Sequence, residues 1–198
     1  MRKITFITLV MILGISSVGK SDTPNVFDEN RMSSESIFAG WLGCKDKATS
    51  WTNETIASHH CACFFDWVRT IFIKSGKKGF LKILKSKEKM QPHSNKCYEF
   101  AKIQPKDSFG KGSPQSNYDS SALATSSIIT GQMGCKNNIS NKPLIYQIKV
   151  CGCMTDYSRT LYKKYGREKF YKSLVSESGN IFKSLMNKGS YCDKYAKE

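Results

Sequence analysis

The chain is expected to be all-α, built as two tandem disulfide-braced helical bundles, an internal repeat. Three observations predict this. First, the cysteines form two sets of one pattern: Cys44, Cys61, Cys63 and Cys97, then Cys135, Cys151, Cys153 and Cys192. In each set a Gly-Cys-Lys (Gly43 to Lys45, Gly134 to Lys136) is followed 16 or 17 residues later by Cys-x-Cys, and a lone cysteine follows that pair by 34 or 39 residues. Other side chains recur too, since Cys61-Ala-Cys-Phe-Phe-Asp-Trp-Val-Arg-Thr lies over Cys151-Gly-Cys-Met-Thr-Asp-Tyr-Ser-Arg-Thr. Second, the apolar residues between the cysteines are spaced as on helices. Third, no run alternates in the way a strand requires.

Residues 1–19 read as a signal peptide. Arg2 and Lys3 precede the apolar stretch Ile4 to Ile15, and small residues at Ser17 and Gly19 suit cleavage before Lys20. The polar residues 20–32 have no period and are expected to form a mobile arm. The first helical repeat is placed at 33–102, the second at 121–198, and the Pro-, Gly- and Ser-rich stretch 103–120 between them has a linker composition.

Within each repeat a first helix carries Ile37, Phe38, Trp41 and Leu42, or Ile128, Ile129 and Met133. A longer helix follows with one apolar stripe. Ile56, His60, Cys63, Phe64, Trp67 and Ile71 run at helical steps, matched by Tyr146, Val150, Cys153, Met154, Tyr157 and Leu161. Gly76 and Gly166 are available stops. A third helix carries Phe80, Leu81 and Leu84, or Phe170, Tyr171 and Leu174, and the last cysteine is assigned to a short closing segment. Each repeat is expected to fold alone.

Two residues on a helix lie about 200° apart, so the members of Cys-x-Cys point to different neighbours and do not bond each other. Bridges are expected within each repeat. Either Cys44–Cys61 with Cys63–Cys97 or Cys44–Cys63 with Cys61–Cys97 fits the spacing, and the second repeat has the same two choices. Closing such loops contributes on the order of 3 kcal/mol each in the chain-entropy model, which bundles of this size need. An even set of cysteines behind a signal peptide places the protein outside the reducing cytosol, secreted or periplasmic.

The net charge is +15. Residues 31–104 hold thirteen basic and six acidic side chains, and residues 121–198 hold thirteen and five, so both repeats are basic to a similar degree. Such a balance favours anionic partners: a membrane surface, an envelope polymer or a host molecule. A protein partner also fits, and no transmembrane span is expected in the mature chain. The candidate anion-binding residues are Lys77, Lys78, Lys82 and Lys85 in the first repeat and Lys163, Lys164, Arg167, Lys169 and Lys172 in the second. The apolar residues among them are equally suited to face a bundle core, with the lysines on its wet side.

Other constellations carry less chemistry. His59-His60-Cys61-Ala-Cys63 has zinc-ligand residue types, but Lys149 and Val150 replace both histidines in the second copy, so no metal and no cofactor is assigned. Asp66 and Arg69 recur as Asp156 and Arg159; an i,i+3 ion pair is the expected reading, a shared polar site the sharper one. Asn53-Glu-Thr55 and Asn138-Ile-Ser140 match the glycosylation acceptor pattern at non-equivalent positions. The order Cys…Cys-x-Cys-x-x-Asp…Cys, with an aromatic and basic stretch after it, resembles small exported bacterial helical domains of no assigned activity. That resemblance spans residues 44–84 and 135–174 and implies no catalytic residues. The expectation is a binding module that presents basic helices to an anionic partner. The alternative is a thiol redox protein or hydrolase using Cys-x-Cys or the repeated Asp/Arg site.

Overall fold

Side chains that hydrogen-bond their own backbone open the first three helices. Ser33 accepts from the Ser36 amide, Asn53 from Ile56 and Ser86 from Lys89, satisfying donors that a helix start leaves without partners. The structure, a computed structural model, describes residues 31–110, 122–176 and 180–197. The signal peptide, residues 20–30 of the arm and residues 111–120 of the linker lie outside them. The described residues form α1 (Ser34–Ala48), α2 (Glu54–Leu84), α3 (Lys87–Lys102), α4 (Thr125–Asn138), α5 (Leu144–Tyr165), α6 (Arg167–Val175) and α7 (Asn180–Lys197). A 3-10 turn, Lys106–Ser108, follows α3, and no strand occurs among the described residues.

The two glycine stops are real. Gly76 has φ 61° and ψ 179°, and Gly166 has φ 77° and ψ 168°, a region that strains any residue with a Cβ. Gly76 kinks α2 within its length, whereas Gly166 separates α5 from α6. The short closing segments are corrected to full helices. Cys97 lies in the sixteen residues of α3 and Cys192 in the eighteen of α7. Pro92 inside α3 and its many polar residues hide that helix, yet Met90, Ser94, Cys97 and Ala101, at steps of 4, 3 and 4, form its buried line.

The bridges are Cys44–Cys61, Cys63–Cys97, Cys135–Cys151 and Cys153–Cys192, and no cysteine is unpaired. Of the two pairings that spacing left open, both halves adopt the same one. Each central helix, α2 or α5, is tied to the helix before it and to the last helix of its half, with Cα separations of 5.5 to 5.8 Å.

The halves pack together instead of standing apart. One buried cluster contains Ile37, Phe38, Phe64 and Phe65 together with Leu123, Ile128, Ile129, Leu161 and Phe170. Helix α1 contacts α4 and α5, and α2 contacts α4. As a result every residue from His59 to Arg69 is buried, so this stretch of α2 is covered on all sides and not along one stripe. The arm also ends differently from expectation: Met32 is buried, and Arg31 donates to the Asp156 carbonyl and, at 2.7 Å, to the Thr160 hydroxyl. At the start of the linker, Phe109 packs its ring against Trp41 and His59.

A shared core changes what the separate halves are expected to do. Fragments 31–104 and 121–198, produced alone under oxidising conditions, should each melt without a cooperative transition, while the full chain melts in one. Two independent cooperative melts, followed by circular dichroism, would show that the common cluster is dispensable.

Candidate functional site

Asp66 and Arg69 share one turn of α2, and Asp156 and Arg159 the matching turn of α5, so the i,i+3 pairing is present. The Arg Nη1 to Asp Oδ1 distances are 3.2 Å and 2.7 Å, and both pairs are buried. Their main partners, however, lie in the opposite half. Asp66 accepts from the Thr125 amide at 2.8 Å, and Arg69 donates to the Thr125 hydroxyl at 3.0 Å. Asp156 accepts from the amide and hydroxyl of Ser34 at 3.0 and 2.7 Å, and Arg159 donates to the same hydroxyl and to the Met32 carbonyl. Ser34 and Thr125 are the first residues of α1 and α4. Each central helix therefore caps the opening of the other half's first helix. Ala124, the residue before α4, has no side chain able to do this. The recurring Asp and Arg residues are thus part of the buried polar contacts between the halves.

Burial pushes the Asp66 carboxyl above the usual carboxylate range, against the pull of Arg69 and Thr125. Asp156 moves the same way, also through burial, with Arg159 and Ser34 opposing. Both sets are buried, and their hydrogen bonds hold the halves together.

The histidine and cysteine cluster is also committed to the interior. One possible ligand atom each from Cys44, His60 and Cys61 lie within 4.8 Å of one another, but the two sulfurs are bonded together and have no thiolate to offer a cation. His60 sits edge-on to Trp51 and Tyr98, with ring centres at 5.7 and 6.1 Å. Burial lowers its pKa to about 4. His59 is lowered as well, by burial, with the Pro105 carbonyl opposing. His93 stacks on Trp67 at 4.2 Å. Each cysteine of Cys-x-Cys is bridged to another helix in both halves, and the Asp/Arg sets are internal. Of the acceptor asparagines, Asn53 is exposed with its side chain engaged in capping α2, and Asn138 is exposed at the end of α4.

The nine basic candidates lie on the outside. Lys77, Lys78, Lys82, Lys85, Lys163, Lys164, Arg167, Lys169 and Lys172 are all exposed, while Phe80, Leu84 and Phe170 beside them are buried. The first group follows Gly76, and the second lies on both sides of Gly166. After Gly76 the four lysines fall at i, i+1, i+5 and i+8, one face of the helix. Around Gly166 an open cleft of about 490 Å³ is lined by Tyr165, Arg167, Glu168, Lys169 and Lys172. The ammonium groups of Lys164 and Lys169 each lie 5.2 Å from the centre of the Tyr165 ring. Tyr165 and Glu168 escaped the sequence reading because Ser75 and Lys78 occupy the corresponding places in the first half. No protein-family model matches the chain, and comparison with curated proteins and with solved structures finds no match.

Two outcomes follow from the buried groups. Asp66→Ala or Asp156→Ala should lower the unfolding free energy by about 3–5 kcal/mol, because each removes the carboxylate beside a buried arginine and the acceptor of a helix-start amide; urea titration of the disulfide-intact protein measures it. A His60 pKa lowered from its ordinary 6.5 to about 4 means that the unfolded chain binds the proton first as pH falls. Stability should therefore drop between those two values, by at most about 1.4 kcal/mol per pH unit from this group. His60→Val, which copies Val150 of the second half, should remove that part of the slope in denaturation curves taken across the window.

Proposed function

We propose that the protein is an exported, disulfide-stabilised binding module that presents two basic helical surfaces to an anionic partner. The observation that carries this reading is the placement of the nine basic side chains. All are exposed, and they gather at the two glycine turns in corresponding parts of both halves. Charge needed for solubility alone has no reason to collect at matching turns. Four disulfides fit an oxidising environment, and no helix among the described residues is long and apolar enough to cross a membrane. The signal peptide read at residues 1–19 supplies the route of export. The partner class is defined by charge: a polymer or surface carrying repeated negative groups.

A soluble sulfated polymer, dextran sulfate, tests the reading. The protein should bind it at low salt and lose affinity steeply between 0.1 and 1 M salt, as the screening length falls from about 10 to about 3 Å. Changing Lys77, Lys78, Lys82 and Lys85 together to Gln should weaken binding by tenfold or more while the helical spectrum stays unchanged. Absence of binding at low salt would make the charge a solubility feature.

A further inference from the structure

Exposed apolar side chains sit inside both basic surfaces. Leu81 is 40% exposed, and it lies one turn after Lys77 and one turn before Lys85, with Lys78 and Lys82 beside it. The neighbouring residues Phe80 and Leu84 are only 3% exposed, so the core already has the apolar side chains it needs at this turn. The second half repeats the arrangement. Tyr171, 38% exposed, lies one turn after Arg167 and next to Lys172, and Val175 a turn further on is 87% exposed. Before the first glycine turn Ile73 is 57% exposed beside Lys74.

We propose that these surfaces dock on an anionic lipid membrane, with the basic groups at the head groups and Leu81 and Val175 entering the head-group and acyl boundary. The inference rests on the anion-binding reading above and names its partner. Charge complementarity alone does not separate a membrane from a soluble polyanion; the exposed apolar residues do. A polyanion leaves Leu81 and Val175 in water, whereas a bilayer interface removes them from it while lysine stems reach outward to keep their ammonium groups at the phosphates. The pattern is that of an interfacial surface helix, basic and apolar on one side, with the other side already occupied by the bundle core. Neither surface spans a bilayer, since α6 has nine residues and the helical stretch after Gly76 is shorter still.

The test uses the chain from Lys20 onward, because the apolar stretch 4–15 would itself enter lipid. Binding is measured by co-sedimentation with phosphatidylcholine vesicles, with and without phosphatidylglycerol, and in parallel to dextran sulfate. The protein should bind the phosphatidylglycerol vesicles and bind the neutral ones poorly. Each Lys→Gln change among Lys77, Lys78, Lys82 and Lys85 should weaken vesicle binding about fivefold. The decisive variant is Leu81→Ser with Val175→Ser, which leaves every charge in place. It should lose about tenfold in vesicle affinity and bind dextran sulfate as the unaltered protein does. Loss of the helical spectrum would expose misfolding, and single variants Leu81→Ala and Val175→Ala then make the same comparison. Equal vesicle binding by altered and unaltered proteins would overturn the membrane inference. Binding to dextran sulfate with none to anionic vesicles would also overturn it and leave the anion-binding reading standing. Failure to bind either probe at low salt would remove both.

Discussion

The exchange of helix caps between the halves is the constraint on which the rest of the structure depends. A helix start presents amides with no intrahelical acceptor, and inside a protein such groups must find one. Ser34 and Thr125 open their helices in the interior, both fully buried. Asp156 and Asp66 meet them from the opposite central helix. Two carboxylates in a core are costly unless charge and hydrogen bonds compensate, and Arg159 and Arg69 do so one turn along. The contact is made twice in opposite senses, in the manner of a self-complementary dimer interface held within one chain. It ties each central helix to the first helix of the opposite half, and Ile128 and Ile129 of α4 join the same buried cluster as Phe64 and Phe65 of α2.

Disulfides act at a shorter range. Each bridge joins a central helix to a helix of its own half, closing loops of 16 to 39 residues. They limit the freedom of the unfolded chain but set no relation between the halves. The chain therefore divides its cohesion between covalent ties inside each half and a buried polar exchange plus apolar packing across them. The segment after α3 adds to this, since Phe109 lies over Trp41 and His59 instead of leaving the surface at once.

Polar chemistry is thus used in two places for different ends. The paired Asp and Arg groups, the bridged cysteines and the histidines of α2 lie inside, where they organise packing. The lysines and arginine around Gly76 and Gly166 lie outside, where they remain available to a partner. A functional reading centred on the recurring Cys-x-Cys or Asp/Arg residues places the chemistry in the interior. A reading centred on the turns places it at the surface, where exposed leucine, tyrosine and valine accompany the charge.

Local rules determined much of this protein from sequence. Periodicity disclosed α1, α2 and α5, positive-φ geometry at Gly76 and Gly166 followed from glycine at helix stops, and helix geometry kept Cys61 from Cys63 and Cys151 from Cys153. Those properties depend on residues within a few turns of each other. Tertiary structure decided the rest. Spacing could not choose between Cys44–Cys61 and Cys44–Cys63, because both sulfurs lie within reach until α1 and α3 take their sides of α2. The polar composition of α3 concealed a helix whose stability comes from packing Met90 and Cys97. The partners of Asp66 and Asp156 stand 59 and 122 residues away, at Thr125 and Ser34, a distance no local pattern spans. Recurrence marked the aspartates as special; only the packing of one half on the other revealed which amides they serve.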